Sequence, residues 1–348
     1  MTSRLLLFLI ALQLLAGAGL ARLMMALWPA MPAWQAAALA LLAVLLVRFW
    51  ITLQNFALSY CYRSQTPPLF RSGWPARARL LGAEFIATLL VSSWHMVRPG
   101  PVRWPPAGAA ATAGPAAPPV LLVHGYGCNR GYWRPLSRRL AQAGIVHRAL
   151  DLEPAVASID MLVPQLAAAI ERLCPEPGDR VILVAHSMGG LVGRAYLRTF
   201  GAARVVRLIT LATPHHGTVL ARFGPGASAR QMGRAGAGRQ AAPSAWLAAL
   251  AGAETAQQRA LVTSLFSHHD NIVAPQTSAW LEGARNIAFG GLGHVSMGRA
   301  PQVLRCVVAE IRAAQAGSPP AVPQSVSFPR TRRDDCCGGA IDTGPSRR

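Results

Sequence analysis

The chain has 348 residues and a formal net charge of +20, and it contains arginine but no lysine. The excess of arginine and alanine is typical of a GC-rich gene, and the interleaved aromatic and basic residues of an RNA-binding protein are absent, so we expect no nucleic-acid partner. Attraction to anionic lipid follows from the charge, at about 1 kcal/mol for each arginine near a membrane surface. Six scattered cysteines suit a reducing compartment without a disulfide framework.

Two apolar stretches at the N terminus predict a pair of membrane-spanning helices. Residues 5–21 are apolar apart from Gln13, residues 23–28 are apolar again, and residues 33–47 are almost entirely Ala, Leu and Val. Allowing for helix ends, each stretch approaches the roughly 20 residues that cross a bilayer. A signal peptide is the alternative for the first, but no small-x-small cleavage site precedes a polar mature start. We therefore expect a transmembrane hairpin over residues 1–52.

The arginines around this hairpin predict its orientation. The hairpin loop, residues 28–34, carries no charge. Arginines flank the outer ends, with Arg4 before the first helix and Arg48, Arg63, Arg71, Arg77 and Arg79 after the second. The positive-inside rule then places both ends, and the domain that follows, in the cytoplasm. Arg22 opposes this orientation unless it snorkels, and a third membrane span would reverse it.

A third apolar stretch, residues 80–97, is interrupted by Glu84, two serines and a histidine. We expect a helix that lies on the membrane surface or packs on the next domain, with a third span as the less favoured alternative. Residues 98–119 are rich in Pro, Ala and Gly, as linkers are. Residues 53–117 are therefore assigned to an amphipathic segment and a linker.

The first predicted strand of the following domain ends in a histidine and two glycines. The aliphatic residues 119–123 lead into His124, Gly125, Tyr126 and Gly127. Glycines at these positions allow the backbone to approach a ligand closely. For His124 we expect a supporting role, held by hydrogen bonds in its loop, rather than a direct catalytic one.

A serine stands between a buried strand and a helix near the middle of the chain. Four aliphatic residues, 181–184, predict the strand, and residues 191–197 predict the helix. Ser187 between them indicates a nucleophile elbow, a strained turn that raises the hydroxyl above the sheet. The helix start leaves the Met188 N–H free to face an oxyanion. Ala185 replaces the usual glycine of this motif, and an incidental serine in a tight turn is the alternative.

An aspartate and a histidine follow the last predicted strands. Asp270 comes after the strand at residues 261–267, and His294 lies in a Gly-rich loop after the final strand. A serine hydroxyl is a weak nucleophile, so His294 would take its proton, while Asp270 would hold the imidazole tautomer. A turn aspartate is the alternative for Asp270. His268 and His269 are weaker candidates for the base because they precede the acid.

Five segments together match one known family. They are His124-Gly125-Tyr126-Gly127, Ala185-His186-Ser187-Met188-Gly189-Gly190, Leu211-Ala212-Thr213-Pro214-His215-His216-Gly217-Thr218, Asp270-Asn271-Ile272-Val273 and Gly293-His294. Over residues 118–316 the chain resembles the bacterial triacylglycerol lipases and esterases of the α/β-hydrolase superfamily. The resemblance implies an α/β-hydrolase fold, with a mostly parallel central sheet flanked by helices and preceded here by two transmembrane helices. It also implies the chain order nucleophile, acid, base.

The resemblance assigns roles to the site residues. Ser187, Asp270 and His294 would form the catalytic triad, and the backbone N–H groups of Tyr126 and Met188 the oxyanion hole. Residues in support would be His124, Gly125, His186 and Gly189. Ester hydrolysis would run through an acyl-serine without a cofactor or a metal ion.

An insertion and a tail complete the chain. Residues 219–260 lack strand patterning and would form a cap or lid over the acyl site, with an ordinary loop plus a surface helix as the alternative. Within them we expect Ser244 to N-cap a short helix that shows Trp246, Leu247 and Leu250 on one face.

Residues 317–348 have little apolar content and are expected to be disordered. The adjacent Cys336 and Cys337 in this tail are best explained as an incidental pair, with lipidation or metal binding as alternatives.

These patterns predict a membrane-anchored esterase or lipase in the inner membrane of a bacterium, acting on a lipid or a small ester. An acyltransferase or amidase that uses the same triad is the alternative enzyme, and a non-catalytic membrane scaffold is the alternative outside enzymes. Because the triad lies wholly beyond the linker, a chain that starts near Pro118 is expected to keep its reactive serine.

Overall fold

The structure is a computed structural model that describes residues 2–100, 117–154, 156–236 and 241–317. Most of the expected linker lies outside these residues. The expected disordered tail, with Cys336 and Cys337, lies outside them apart from Gly317.

A parallel sheet of six strands forms the centre of the molecule. The strands in chain order are β1 (Val120–Val123), β2 (His147–Leu150), β3 (Val181–His186), β4 (Val205–Leu211), β5 (Arg234–Ala235), β6 (Ala242–Pro243), β7 (Val262–Ser267) and β8 (Arg285–Phe289). The central sheet has the order β2-β1-β3-β4-β7-β8, and β5 and β6 form a separate antiparallel pair. Every strand pair in the central sheet is parallel, as expected for this fold class.

Helices precede the sheet and cover both of its faces. In chain order they are α1 (Thr2–Leu27), α2 (Ala33–Cys61), α3 (Trp74–Leu90), α4 (Arg134–Gln142), α5 (Ile159–Leu173), α6 (Met188–Phe200), α7 (Ala227–Gln231), α8 (Ala245–Ala253), α9 (Ala256–Ala260) and α10 (Pro301–Gln315). Helices α5, α6 and α8 pack on one face, and α4 and α10 on the other. The predicted α/β fold, with helices on both faces of a parallel sheet, is confirmed.

Strand β1 shows why the sheet must be covered on both faces. Its four residues are all fully buried, with Leu121 and Val123 in the layer of α5 and α6 and Val120 and Leu122 in the layer of α4 and α10. A parallel strand with apolar residues on both faces is stable only between two layers of helices. The aliphatic runs in the sequence therefore determine the three-layer architecture.

Helix α5 shows how local sequence sets a helix and its buried face. The Ser158 hydroxyl caps its first turn by accepting a hydrogen bond from the Met161 N–H. Leu162, Leu166 and Ile170 recur at helical spacing and are almost fully buried. This stripe packs against the sheet, as the periodicity requires.

The strand order creates a crevice at the carboxyl ends of β1 and β3. The chain runs outward from β1 to β2 and then returns past β1 to β3, so the loops after β1 and β3 diverge on the two sides of the sheet. Ligands of open α/β sheets bind at such a switch point. Val123 is paired in register with Ala185, which places the loop after β1 directly beside the turn that carries Ser187.

Two N-terminal helices are long and apolar enough to cross a membrane. Helix α1 has a mean hydropathy of 2.0 and helix α2 of 2.3. They pack on each other, and the Arg48 Nε donates to Gln13 Oε1 over 2.8 Å. Helix α2 continues to Cys61, past the boundary expected at residue 52, because its last turns pack on the domain that follows. The Ser59 hydroxyl there bonds to the Asp270 carbonyl oxygen.

The third apolar stretch is a helix that packs on the domain. Helix α3 is followed by a π-helical turn, Val91–His95. Val91 and Met96 are buried with the strand residues Val120 and Leu122 in one hydrophobic cluster. Of the alternatives raised by the sequence, domain packing is therefore the one that the contacts support. This segment belongs to the core of the fold.

We expect Met96→Ala to destabilise the whole protein. Met96 is 4% exposed, and truncation of a buried methionine to alanine costs about 2–5 kcal/mol. Trp94→Ala is the matched control, because Trp94 is 50% exposed and its removal should change the free energy of unfolding by less than about 1 kcal/mol. Chemical denaturation of the full chain in detergent micelles, followed by circular dichroism, measures both. Equal stabilities for the two variants would show that this segment is not part of the core.

Candidate active site

Ser187 occupies a strained turn between β3 and α6. Its φ is 53°, a backbone angle that residues other than glycine rarely adopt. Three hydrogen bonds hold it there: its N–H donates to the Leu211 carbonyl (2.8 Å), and its carbonyl accepts from the Gly190 N–H (3.0 Å) and the Thr213 hydroxyl (2.9 Å). Thr213 lies in the segment after β4 that the sequence singled out without giving it a role. It supports the strained turn.

Glycines bring the loop after β1 into contact with this turn. A Cβ on Gly125 would lie 2.9 Å from the Ser187 Cβ, and one on Gly189 would lie 2.6 Å from the carbonyl oxygens of Val123 and His124. Side chains at either position would push the loop and the turn apart.

The two expected oxyanion donors flank this contact. Tyr126 follows Gly125 in the loop, and Met188 is the first residue of α6. Within the part of the chain that the structure describes, neither backbone N–H has a hydrogen-bond acceptor. Both donors are therefore available to a ligand oxygen, as the expected oxyanion hole requires.

Asp270 and His294 are joined at the carboxyl ends of β7 and β8. The His294 Nδ1 lies 2.9 Å from the Asp270 Oδ2, and both side chains are buried. The other oxygen, Oδ1, accepts from the N–H groups of Ile272 (2.7 Å) and Val273 (2.8 Å). Asp270 thus caps its own loop and also bonds His294, and its role as a catalytic acid stays a prediction.

The surroundings of His294 favour its protonated form. Burial by itself lowers the pKa of an imidazole, but the charge of Asp270, its hydrogen bond and the charge of Glu84 outweigh it, and the pKa of His294 is raised. A raised pKa makes the neutral imidazole a stronger base. This is what removal of a proton from a serine hydroxyl needs.

Ser187 and His294 line the same cavity, which has a volume of about 1020 Å³. Its other walls are mostly apolar and come from α2, the loop after β1 and the insertion after β4. They include Trp50, Leu53, Leu58, Tyr126, Leu220, Phe223 and Met232. The volume and the lining suit an apolar ligand of the size of a drug molecule or an acyl chain.

The competing histidines lie elsewhere. Neither His268 nor His269 lines the cavity of Ser187. The His268 ring packs 4.7 Å from the Phe70 ring, and burial lowers its pKa to about 4. The His269 Nδ1 accepts from the Gly291 N–H over 3.0 Å. These contacts are those of structural histidines.

His124 and His186 contact the site without entering its chemistry. The His124 Nε2 accepts from the Leu152 N–H (2.9 Å), so its Nδ1 carries the proton and donates to the Gly125 carbonyl (2.9 Å). The His186 ring stacks on Tyr132 with ring centroids 4.2 Å apart, and its Nε2 lies 3.3 Å from the His294 carbonyl oxygen. Both rings hold loops of the site in place.

Glu84 of α3 is a site residue that the sequence did not identify. Its carboxylate is fully buried and accepts from the N–H groups of Val295 (2.8 Å) and Ser296 (2.9 Å) and from the Ser296 hydroxyl (2.5 Å). These two residues directly follow His294. A Cβ on Gly293 would overlap the Glu84 carboxylate, so the glycine before His294 is what lets Glu84 approach.

Helix α2 makes a similar contact with the loop of Asp270. The Asp270 carbonyl oxygen accepts from the Ser59 hydroxyl (2.8 Å) and from the Gln276 Nε2 (2.9 Å). The loops of Asp270 and His294 are thus each held by an N-terminal helix. The boundary expected at Pro118 separates groups that the structure joins, so a chain that starts there lacks part of the site.

The sequence contains one indication that Glu84 is a structurally important residue. It is the single acidic residue in a mostly apolar stretch, and a buried glutamate without a partner is rare. The signal indicates that Glu84 has donors, but it does not say which ones. Its partners lie more than 200 positions away along the chain.

The insertion after β4 forms one wall of the cavity. Leu220, Phe223 and Met232 line the cavity. The predicted N-cap is confirmed, because the Ser244 hydroxyl accepts from the Leu247 N–H over 3.2 Å, and Leu247 is buried. That this segment opens and closes as a lid stays a prediction.

Residues 120–325 match the alpha/beta hydrolase family over more than half of the chain. The chain belongs to this family. Among solved structures it is similar to the Bacillus licheniformis lipase BlEst2 in its mature form, at 19% identity over 57% of this chain and 93% of that one, with a TM-score of 0.48. It is also similar to Aspergillus fumigatus lipase B, at 20% identity over 56% of this chain and 52% of that one, with a TM-score of 0.47.

A thermophilic esterase from Thermogutta terrifontis gives 20% identity over 59% of this chain and 97% of that one, with a TM-score of 0.40. Within the described residues, no group of three or more His, Cys, Asp or Glu side chains could hold a metal ion.

We expect Glu84→Gln to lower the pKa of His294. Burial raises the pKa of Glu84, and its hydrogen bonds to Ser296 and Val295 and the charge of His294 oppose that shift. In its charged form the Glu84 carboxylate favours the imidazolium, and glutamine removes that charge while keeping the size of the side chain. NMR titration of the full chain with ¹³C-labelled histidine measures the pKa. Glu171→Gln, the same change at an exposed position, should leave it unchanged. An unchanged or higher pKa in Glu84→Gln would contradict the electrostatic role of Glu84.

Proposed function

We propose that this protein is a membrane-anchored serine hydrolase that cleaves carboxylic esters through an acyl-serine intermediate. One observation carries the proposal. Ser187, on a strained strand-to-helix turn, shares a cavity with His294, whose Nδ1 is bonded to Asp270. This combination of nucleophile, base and orienting carboxylate is what acyl transfer to a serine requires.

The proposed reaction has two halves. His294 takes the proton of the Ser187 hydroxyl through Nε2 as the oxygen attacks the ester carbonyl carbon. The tetrahedral intermediate collapses, the alkoxide leaves with the proton from His294, and the acyl group stays on Ser187. Water then attacks the acyl-serine by the same steps and releases the acid. Asp270 keeps the Nδ1 proton in place and stabilises the imidazolium.

Backbone donors would stabilise the negative oxygen in each half. The N–H groups of Tyr126 and Met188 flank Ser187, and no acceptor in the described residues occupies either of them. In a site closed to water, the loss of one oxyanion-hole donor costs about 2.7–4 kcal/mol of transition-state stabilisation.

The cavity supports an ester with an apolar acyl part. Its walls are mostly aliphatic and aromatic, and the helix that supplies Trp50, Leu53 and Leu58 is also apolar enough to cross a membrane. A lipid or a small apolar ester is therefore the proposed substrate class. An amide substrate or an acyl transfer to another alcohol would use the same groups, and these reactions remain the alternative enzyme activities.

Membrane anchoring is part of the proposal. Helices α1 and α2 meet the length and hydropathy of spanning helices, and their exposed surface is rich in leucine, as Leu14, Leu15 and Leu41 show. We propose a bacterial inner-membrane location with the hydrolase domain in the cytoplasm, supported by the arginines that follow α2 and the uncharged hairpin loop.

Ser187→Ala should abolish turnover and labelling. Because the serine and its base act as a unit, we expect kcat for a p-nitrophenyl ester to fall by roughly 10⁶-fold. A fluorophosphonate probe should label the wild type and not this variant. Ser137→Ala, which removes a hydroxyl bonded to His147, is the control and should keep both signals.

Turnover by Ser187→Ala above a few per cent of the wild type would show that another residue is the nucleophile. A wild-type chain that is folded yet neither labelled nor active would instead support the non-catalytic scaffold.

The full chain should behave as an integral membrane protein. We expect it to stay in the membrane pellet after extraction with alkaline carbonate, because two apolar helices resist extraction while surface-bound proteins do not. A phosphatase reporter that works only outside the cytoplasm, fused after Ala316, should be inactive. Recovery in the soluble fraction would refute the anchor, and an active reporter would place the hydrolase domain outside the cytoplasm.

A further inference from the structure

A second cavity lies on the other side of the loop that carries Asp270. Its volume is about 490 Å³, and it is bounded by the last turns of α2, the segment that leads into α3, the first turns of α3 and the loop after β7. Ser187 and His294 do not line it. It is therefore separate from the cavity to which we assign the ester chemistry.

Three arginines line this second cavity. Arg63, Arg71 and Arg77 make no ion pair with a carboxylate among the residues that the structure describes. Asp270 contributes the one carboxylate of the lining, but its oxygens are already taken by His294 and by two backbone N–H groups of its loop. The lining thus carries a net positive charge, and within the described residues none of its three arginines is paired with a carboxylate.

The protein holds two of these guanidinium groups in place. Arg63 lies over the Tyr60 ring at 3.7 Å from its centroid. Arg77 donates through Nε to the Ser72 carbonyl oxygen over 3.2 Å, which leaves its two terminal nitrogens for a ligand. Guanidinium groups with free terminal nitrogens match the oxygens of a phosphate in a fork geometry. The chemistry that this edge of the cavity recognises is therefore a phosphate anion.

Most of the remaining lining is apolar, although polar residues such as Ser72, His269 and Gln276 also border the cavity. The apolar part includes Phe49, Leu53, Phe56, Leu80 and Leu81. Trp74 also lines the cavity and is 79% exposed, which is unusual for a large aromatic side chain unless it meets a lipid interface. A soluble phosphate would leave this apolar surface in contact with water. A phosphate that carries a glycerol and acyl chains would cover it.

The position of the cavity indicates where such a ligand comes from. It lies at the end of α2, the helix with the higher mean hydropathy of the two candidate spans. Arginine clusters directly beyond a membrane helix attract anionic lipid headgroups. A zwitterionic headgroup carries its own cation and would compete with the arginines for its phosphate.

We propose that the cavity between α2, α3 and the Asp270 loop is a binding site for an anionic phospholipid. The phosphate lies among Arg63, Arg71 and Arg77, and the glycerol and first chain carbons lie over the leucines and phenylalanines. The bound lipid contacts the loop that carries Asp270. The proposal does not depend on the ester chemistry, since the ligand is bound and not cleaved.

Binding is tested on the full chain in detergent micelles. Ser187→Ala serves as the background, so that hydrolysis of the probe by the proposed serine cannot affect the result. The probes are short-chain phosphatidylglycerol, phosphatidylcholine of the same chain length, and inorganic phosphate. We expect phosphatidylglycerol to raise the unfolding temperature and to bind saturably, phosphatidylcholine to bind at least about tenfold more weakly, and inorganic phosphate to bind weakly.

Charge variants locate the site. Replacement of Arg63, Arg71 and Arg77 together by glutamine should weaken phosphatidylglycerol binding by about 100-fold. The matched control replaces Arg139, Arg305 and Arg312, which line another surface crevice, between α4 and α10, and removes the same charge. The control should change the affinity by no more than a few-fold. Arg71→Gln alone, a change at an exposed side chain, should weaken binding about five- to tenfold if the triple variant does not fold.

Three results would overturn the proposal. Equal losses in the two triple variants would show attraction to net charge without a site. Unchanged affinity in the Arg63, Arg71 and Arg77 variant would place the lipid elsewhere, for example in the cavity of Ser187. Inorganic phosphate that binds as tightly as phosphatidylglycerol would show that the ligand is a soluble phosphate. A failure of Ser187→Ala to lose esterase activity would affect only the proposed function.

Discussion

The buried carboxylate of Glu84 is the constraint on which the rest of this structure depends. A buried carboxylate without a cation is tolerated only when hydrogen-bond donors surround it. Here the donors are two backbone N–H groups and a hydroxyl from Val295 and Ser296. Helix α3 therefore has to dock against the loop of His294. That docking unites the N-terminal helices and the hydrolase domain into one body around the site.

Because the N-terminal helices dock on the domain in this way, they contribute to the site in two ways. The same helix that is apolar enough for a membrane supplies Trp50, Leu53 and Leu58 to the wall of the larger cavity. Its end also fixes the Asp270 loop through Ser59. Movements of these helices relative to the sheet would change the cavity and the geometry of the Asp270 loop together. The position of these helices and the geometry of the site are thus mechanically linked in this fold.

The sheet keeps the strained turn at Ser187 rigid. The turn at Ser187 keeps an unfavourable φ because β3, β4 and Thr213 over-determine it by hydrogen bonds. The loops of Asp270 and His294 lie at the ends of the neighbouring strands β7 and β8. Both faces of the Asp270 loop border a cavity, one mostly apolar and one rimmed by arginines. The Asp270 loop therefore lies between the two cavities.

The sequence by itself determined the α/β class, the strand-turn-helix around Ser187, and the placement of Asp270 and His294 after later strands. These features are local, because each is encoded by a short aliphatic run followed by small or polar residues. Only the tertiary structure decided where α2 ends and what Glu84 and Ser59 contact. Those contacts join residues more than 200 positions apart, and apolar helix residues look the same in sequence whether they face lipid or a cavity wall. Periodicity predicts that one face of a helix is buried, but only the tertiary structure shows which residues cover that face.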